Sequence, residues 1–114
     1  MNFTSPQEAL IVIEESHKKS KEAMKVGDFR TNNKIISQEM MPAFLYLEKN
    51  NLTKLLIPFL KNKDVDLSLI VSRKLLPYYE EIAINNLNDI IQKKIPHKWD
   101  VAETIIKEWK GSPL

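Results

Sequence analysis

The chain has 114 residues, no cysteine, and a formal net charge of +2 from 17 basic and 15 acidic side chains. Without cysteine, disulfides, thiolate nucleophiles and cysteine-ligated zinc are excluded. The hydrophobic fraction of 43% is enough for a core, and composition is even, so we predict one soluble domain over residues 1–114. The N-terminal residues do not resemble a signal peptide, and no stretch approaches the ~18 apolar residues of a membrane span, which indicates a cytoplasmic protein.

The first predicted helix has clear start and stop signals. Ser5 fits the N-cap, Pro6 the first helical position, and Glu8 the third position, where its carboxylate completes a capping box. Apolar and small residues then recur at helical spacing, with acidic residues early and lysines late, as the helix dipole favours. Gly27 is expected to end this helix.

The second predicted helix begins at an Asp28 N-cap and extends to about Lys49. We expect Pro42 to kink it, because the proline ring clashes with the preceding turn. Its inward stripe is predicted as Phe29, Asn33, Ile36, Met40, Phe44 and Leu47. Asn32 and Asn33 interrupt the apolar pattern, and we expect one of them to bond the loop of a neighbouring hairpin.

Two further helices are predicted over residues 52–60 and 65–76, separated by a polar turn at residues 62–64. Pro58 is expected in the last turn of the shorter one. The segment over residues 65–76 is apolar nearly all the way round. Such a helix is usually covered on more than one side, so we expect it at the centre of the domain.

The last two predicted helices begin at Pro77 and Trp99. The inward residues of the fifth are predicted as Tyr79, Ile82, Ala83, Leu87, Ile90 and Ile91. The sixth spans residues 99–110, and its stripe includes Trp99 and Trp109, which we therefore assign to the core. Gly111 is expected to end it, and Pro113 to prevent its resumption.

Six helices in series predict an all-α chain of about three helical hairpins, with lengths near the ~40-residue period of HEAT and armadillo units. The stretch of residues 55–64, a leucine-rich helix followed by an Asn/Asp turn, together with the apolar helix after it resembles a HEAT repeat. Over roughly residues 23–111 the chain is similar to a family of small bacterial HEAT-like proteins of unknown function. That likeness rests also on Gly27-Asp28, on Leu75-Leu76-Pro77 and on the ending Glu108-Trp109-Lys110-Gly111.

The resemblance implies a HEAT/armadillo-like right-handed stack of hairpins and a non-enzymatic role. The chain departs from the pattern in two places. Where such repeats often carry Val-Arg at the start of the second helix, this chain has Leu67-Ser68, and Val71 and Ser72 replace the small alanines of mid-helix. The arginine is absent or displaced to Arg73, which argues against a fully regular stack.

The sequence offers few groups for catalysis. His17 and His97 lie far apart in sequence, and we expect the first at the surface or its boundary and the second in the loop after Pro96. No His, Asp or Glu spacing suits a metal, adjacent carboxylates diverge by about 100° on a helix, and two isolated glycines cannot build a phosphate loop. We predict no catalytic residue, no metal site and no cofactor.

The most basic segment carries Lys18, Lys19, Lys21, Lys25, Arg30 and Lys34. A nucleic-acid interface would use these side chains as phosphate contacts whose affinity falls steeply with salt. The helix dipole already explains the lysines, glutamates flank them, and the whole chain is nearly neutral. A weak nucleic-acid-binding role therefore stays an alternative, and a membrane partner is not predicted.

We predict a protein-interaction module that holds another protein on the ridged surface of its helices. The expected surface is the exposed side of the second helix of each hairpin, near Ser68, Arg73, Lys74, Glu103 and Lys107. An immunity-type inhibitor of a bacterial toxin is a further alternative that fits the small size. Pairing of the end helices in a homodimer is also open.

Overall fold

The computed structural model describes residues 3–111, and within that range the chain is helical with no strand, as predicted. The six α-helices are α1 (Pro6–Lys25), α2 (Phe29–Ile35), α3 (Met41–Lys49), α4 (Val65–Leu75), α5 (Glu80–Gln92) and α6 (Trp99–Trp109). A π-helical turn (Ile36–Met40) joins α2 to α3, and a 3-10 helix (Thr53–Lys61) precedes α4. Pro113 lies outside the described residues.

Contacts divide the chain into two compact units between Leu52 and Thr53, which we call unit 1 and unit 2. Unit 1 contains α1 to α3, and unit 2 contains the 3-10 helix and α4 to α6. The single domain over residues 1–114 stays a prediction. No helix within residues 3–111 is both long enough and apolar enough to cross a bilayer.

In unit 1, the start of α1 follows the predicted capping pattern with one difference. The Ser5 hydroxyl accepts from the Glu8 backbone N–H at 3.2 Å, as an N-cap should. The Glu8 carboxylate reaches back to Thr4 rather than Ser5, accepting from its N–H at 3.1 Å and its hydroxyl at 2.6 Å. These bonds lower the pKa of Glu8 and fix the chain one residue before the cap.

The end of α1 is closed by the Gly27 turn that the sequence predicts. Gly27 has φ of +71°, its N–H donates to the Met24 carbonyl at 3.1 Å, and the Asp28 N–H donates to the Ala23 carbonyl at 2.8 Å. This pair of bonds is the Schellman arrangement, which places glycine at the left-handed position. Asp28 then caps α2, because its carboxylate accepts from the Thr31 N–H at 3.1 Å.

The proline in the second predicted helix follows a π turn, in which the Met41 N–H donates to the Ile36 carbonyl five residues back. A π turn contains one residue more than an α-helical turn, so the residues of α2 that face the core differ from those expected for a continuous α-helix. Met40, Phe44 and Leu47 are buried as predicted. Ile35 is buried instead of Ile36, and Phe29 and Asn33 are exposed, so the first half of the predicted stripe is wrong.

In unit 2, the segment predicted as a third α-helix is a 3-10 helix over Thr53–Lys61. In an α-helix the Pro58 ring would clash with the carbonyl four residues earlier, which disfavours that form. The tighter 3-10 turn aligns residues three apart, and Thr53 and Leu56 are both buried at that spacing. The HEAT-like leucine-rich helix therefore has a different geometry from the α-helix that the likeness implies.

The prediction that the fourth helix is covered on more than one side is confirmed within unit 2. Helix α4 packs against the 3-10 helix, α5 and α6. Its buried residues are Leu67, Ser68, Leu69, Val71, Ser72 and Leu75. The polar turn before it is ordered by Asn62, whose side chain accepts from the Asp64 N–H at 2.8 Å. Asp64 in turn caps α4 by accepting from the Asp66 N–H at 3.0 Å.

Helix α5 begins at Glu80, three residues later than the predicted start at Pro77. The Leu75 carbonyl accepts from the N–H groups of Tyr78 and Tyr79, at 2.9 and 2.7 Å, so the chain makes a turn there before the helix starts. Three of the predicted inward residues are buried, namely Ala83, Leu87 and Ile90, and Ile82 is exposed. Helix α6 matches its predicted bounds to within one residue.

Candidate functional site

The residues predicted to bind a partner differ in their exposure to solvent. Ser68 is only 3% exposed, so its assignment to an exposed helix face is wrong. Arg73 is exposed and forms an ion pair with Glu108, with the guanidinium Nη1 2.8 Å from Oε2. The other three, Lys74, Glu103 and Lys107, lie on α4 and α6 and are half-buried, half-buried and exposed in that order. Their role in binding stays a prediction.

Ser68 belongs to a buried polar network that the sequence analysis missed. The Asn86 Nδ2 group of α5 donates to both the Ser68 and Ser72 hydroxyls of α4, each at 2.9 Å. Ser68 donates to the Leu60 carbonyl of the 3-10 helix, and Ser72 donates to the Ser68 carbonyl, again at 2.9 Å. The network therefore joins three elements of unit 2 through hydrogen bonds between buried side chains and one backbone carbonyl of the 3-10 helix.

A groove of 590 Å³ lies between α5 and the end of α6, and Trp109 is its largest side chain. Its lining residues are Glu80, Glu81, Ile84, Asn85, Trp109 and Lys110. Trp109 is 39% exposed, so its assignment to the core is wrong. Its indole Nε1–H donates to Glu80 Oε2 at 2.9 Å, which holds the ring in place at the groove.

A second groove, of 510 Å³, lies between α5 and the 3-10 helix. Its lining is Ile57, Pro58, Leu60, Lys61, Ile82, Asn85, Asn86 and Asp89. Asn85 lines both grooves, and the exposed Ile82 lines the second. We call the surface formed by Ile57, Pro58, Ile82, Asn85 and Trp109 the α5 surface.

Asn86 connects the α5 surface to the interior of unit 2. It lines the second groove and is buried through its bonds to the two serines of α4. A signal for it was present in the sequence, since Asn86 falls in the stripe of Ala83, Leu87 and Ile90. A buried amide on an apolar face needs partners, and hydroxyls on the neighbouring helix supply them.

The two histidines lie in different units. His17 is buried in unit 1, so its expected place at the surface or boundary is wrong, and His97 is exposed in the loop before α6, where it has φ of +62°. Within residues 3–111 no three His, Asp or Glu side chains gather as a metal site would require.

Three lysines of the basic segment in unit 1 lie beside carboxylates. The nitrogen–oxygen distances are 3.7 Å for Lys18–Glu14, 2.5 Å for Lys19–Glu39 and 3.3 Å for Lys25–Glu22. A stripe of cations for a nucleic-acid backbone is thus interrupted by acidic partners. Asn32 accepts a hydrogen bond from Ser20 of α1, so it ties α2 to α1 within unit 1.

Comparison of the chain with models of known protein families, with curated proteins and with solved structures found no match.

Proposed function

We propose that the chain is a non-enzymatic protein-interaction module and that the α5 surface is where it binds another protein. The observation that carries this proposal is Trp109, a large amphipathic side chain exposed between helices and tethered through its indole N–H to Glu80. Tryptophan is enriched at binding hot spots, because it buries much area while losing little side-chain entropy. A tethered ring loses still less on binding.

The two grooves suggest the chemistry of the partner. Their volumes of 590 and 510 Å³ are in the range of sites that accept several side chains. Glu80 and Glu81 stand beside Trp109, with Lys110 as the cation of that groove. A helical segment of the partner with apolar residues one turn apart and a lysine or arginine facing the glutamates would complement this surface.

The HEAT/armadillo-like right-handed stack, and membership of the small bacterial HEAT-like family, are part of this proposal. The series of six α-helices supports it, and the 3-10 helix over Thr53–Lys61 marks where the chain departs from a regular repeat. Proteins built from stacked helical pairs commonly present one broad surface to a partner. Inhibition of a bacterial toxin is one activity that such a surface could serve, and a toxin gene beside this one would identify the first partner to test.

The proposal can be tested by site-specific crosslinking, because the chain has no cysteine of its own. Asn85→Cys, labelled with a photoactivatable benzophenone, places the crosslinker where the two grooves meet. Val101→Cys is the matched control, since Val101 is also exposed in unit 2 and lines neither groove. We expect one protein to be crosslinked in extracts of the natural source from Asn85→Cys and not from Val101→Cys.

The affinity of that protein for the purified chain then decides the role of Trp109. Trp109→Ala should weaken binding by about tenfold or more, as truncation of a hot-spot tryptophan does, and Val101→Ala should leave it unchanged. Trp109→Phe keeps an aromatic ring but loses the hydrogen bond to Glu80, so its affinity should lie between those of Trp109→Ala and the unaltered chain. Equal crosslinking from both positions, or full affinity in Trp109→Ala, would show that the α5 surface is not the binding site.

A further inference from the structure

The turn between α1 and α2 exposes three large apolar side chains within six residues. Val26 is 80% exposed, Phe29 62% and Met24 47%. We call Met24, Lys25, Val26, Phe29 and Arg30 the hairpin tip. The Schellman bonds at Gly27 and the Asp28 cap order the backbone there, so these side chains are held in solvent by a fixed turn.

The hairpin tip lies in the most basic segment of the chain. Residues 18–34 carry six cations and two carboxylates, and the rest of the chain carries eleven cations and thirteen carboxylates. The net charge of the whole chain is only +2, and for that reason no membrane partner was predicted. The net charge does not show that the cations are concentrated in residues 18–34. Glu22 pairs with Lys25 at 3.3 Å, and Asp28 accepts from the Thr31 N–H and hydroxyl. Glu14 and Glu39, outside the segment, pair with Lys18 and Lys19, so six cations face four carboxylates and an excess of cations remains.

We propose that the hairpin tip docks on an anionic lipid bilayer surface. Val26, Phe29 and Met24 would enter the boundary between headgroups and acyl chains, and Lys25 and Arg30 would contact lipid phosphates. An apolar apex beside cations suits this surface, because apolar burial and attraction to anionic lipid add together. A nucleic acid would engage the cations but leave aliphatic Val26 and Met24 in water. This inference concerns unit 1 and does not depend on the proposed role of the α5 surface.

Vesicle co-sedimentation of the full chain tests the proposal. The probes are vesicles of phosphatidylglycerol and phosphatidylcholine in equal amounts, and vesicles of phosphatidylcholine alone. We expect binding to the first that is lost on the second, because each cation near an anionic surface contributes roughly fivefold in affinity. The double variant Val26→Ser/Phe29→Ser should bind at least tenfold more weakly. Ile11→Ser is the matched control, since Ile11 is 57% exposed on α1 but about 20 Å from the tip along the helix.

A second measurement separates insertion from attraction of charge alone. Val26→Cys carries an environment-sensitive fluorophore as the only thiol adduct, and Ile11→Cys carries the same label as its control. A blue shift on adding the anionic vesicles is expected from the first label and not from the second. The proposal is overturned if the chain does not bind those vesicles, if the double variant binds as well as the unaltered chain, or if both labels respond alike. Binding to an oligonucleotide without any vesicle-induced blue shift would also overturn it, in favour of a nucleic-acid surface.

Discussion

Replacing Asn86 by alanine tests whether the buried polar network holds unit 2 together. The change removes two hydrogen bonds to the Ser68 and Ser72 hydroxyls, both 2.9 Å long. Each such bond contributes about 1 kcal/mol net, and losing the packed amide adds to this cost. The two hydroxyls keep the bonds that they donate, to the carbonyls of Leu60 and Ser68, so no buried donor is left unpaired. We expect a loss of about 2–3 kcal/mol in the free energy of unfolding.

Tryptophan fluorescence in urea is the appropriate assay, because Trp99 and Trp109 both belong to unit 2. With a urea dependence of about 2 kcal/mol per molar, the midpoint should fall by roughly 1–1.5 M. Asn85→Ala is the matched control: Asn85 precedes Asn86 in the same helix but is exposed, so its replacement should change the free energy by no more than about 0.5 kcal/mol.

A double-mutant cycle isolates the bond between the two helices. In a Ser72→Ala background, Asn86→Ala removes one bond fewer, so its cost should be smaller by about 1 kcal/mol. If Asn86→Ala destabilised the chain no more than Asn85→Ala, or if its cost were the same with and without Ser72, the network would not stabilise unit 2.

Two further changes test the ends of α1 in unit 1. Gly27→Ala should destabilise the chain by about 1 kcal/mol, because φ at this position is +71° and the added Cβ would meet no atom within 4 Å, which leaves backbone strain as the cause. Gly27→Asn should destabilise it less, because asparagine adopts positive φ more readily than alanine. Thermal unfolding measures both variants, and equal stability of all three chains would show that the backbone conformation at Gly27 does not limit stability. Glu8→Gln should be less stable than the unaltered chain at neutral pH, because the bonds from Thr4 lower the pKa of Glu8 in the folded state. Stability from a lowered pKa is present above the unfolded value and is lost as pH falls through the folded one, so the difference should shrink from about pH 5 to pH 3; a difference independent of pH would refute this.

The parts of the fold that sequence reasoning predicted well depend on short-range chemistry. Ser5 accepts from a backbone N–H three residues ahead, and Gly27 provides the one backbone conformation that closes α1. Both interactions act within one turn, so residue type and spacing are enough to predict them. The same holds for the Asp28 cap of α2 and the Asp64 cap of α4.

The errors arose where a pattern was continued through an irregular turn. A stripe counted back from Phe44 and Met40 at α-helical spacing reaches Ile36, but the π turn inserts one residue and buries Ile35 instead. Nothing in the apolar pattern marks that insertion, because both candidates are isoleucine. The 3-10 helix over Thr53–Lys61 was missed for a related reason, since apolar residues three and four apart suit either helix type.

The burial of two residues, Ser68 and Trp109, was predicted wrongly because pairing between elements is not visible in sequence. Ser68 was predicted to be exposed because a serine hydroxyl needs a hydrogen-bond partner. In the structure Asn86, on another helix, donates to that hydroxyl and allows Ser68 to be buried. Trp109 looked like a core residue because its helical phase matches Ala102, yet it lies at the exposed end of the stripe. In both cases the periodicity was correct, and the end or neighbour of the helix decided burial.

Binding at the α5 surface would rest mainly on apolar burial, and binding at the hairpin tip mainly on attraction between charges. The dependence of binding affinity on salt concentration therefore distinguishes the two proposed surfaces. At the α5 surface apolar burial around Trp109 would dominate, with two glutamates beside it, so binding should weaken only modestly as salt rises. At the hairpin tip Lys25 and Arg30 are exposed and would face many lipid charges, so binding should weaken strongly over the same range. If a partner bound to the α5 surface with an affinity that fell steeply with salt, charge rather than apolar burial would dominate at that surface, contrary to expectation. Tip binding insensitive to salt would leave only apolar insertion, for which the cations beside Val26 would have no role.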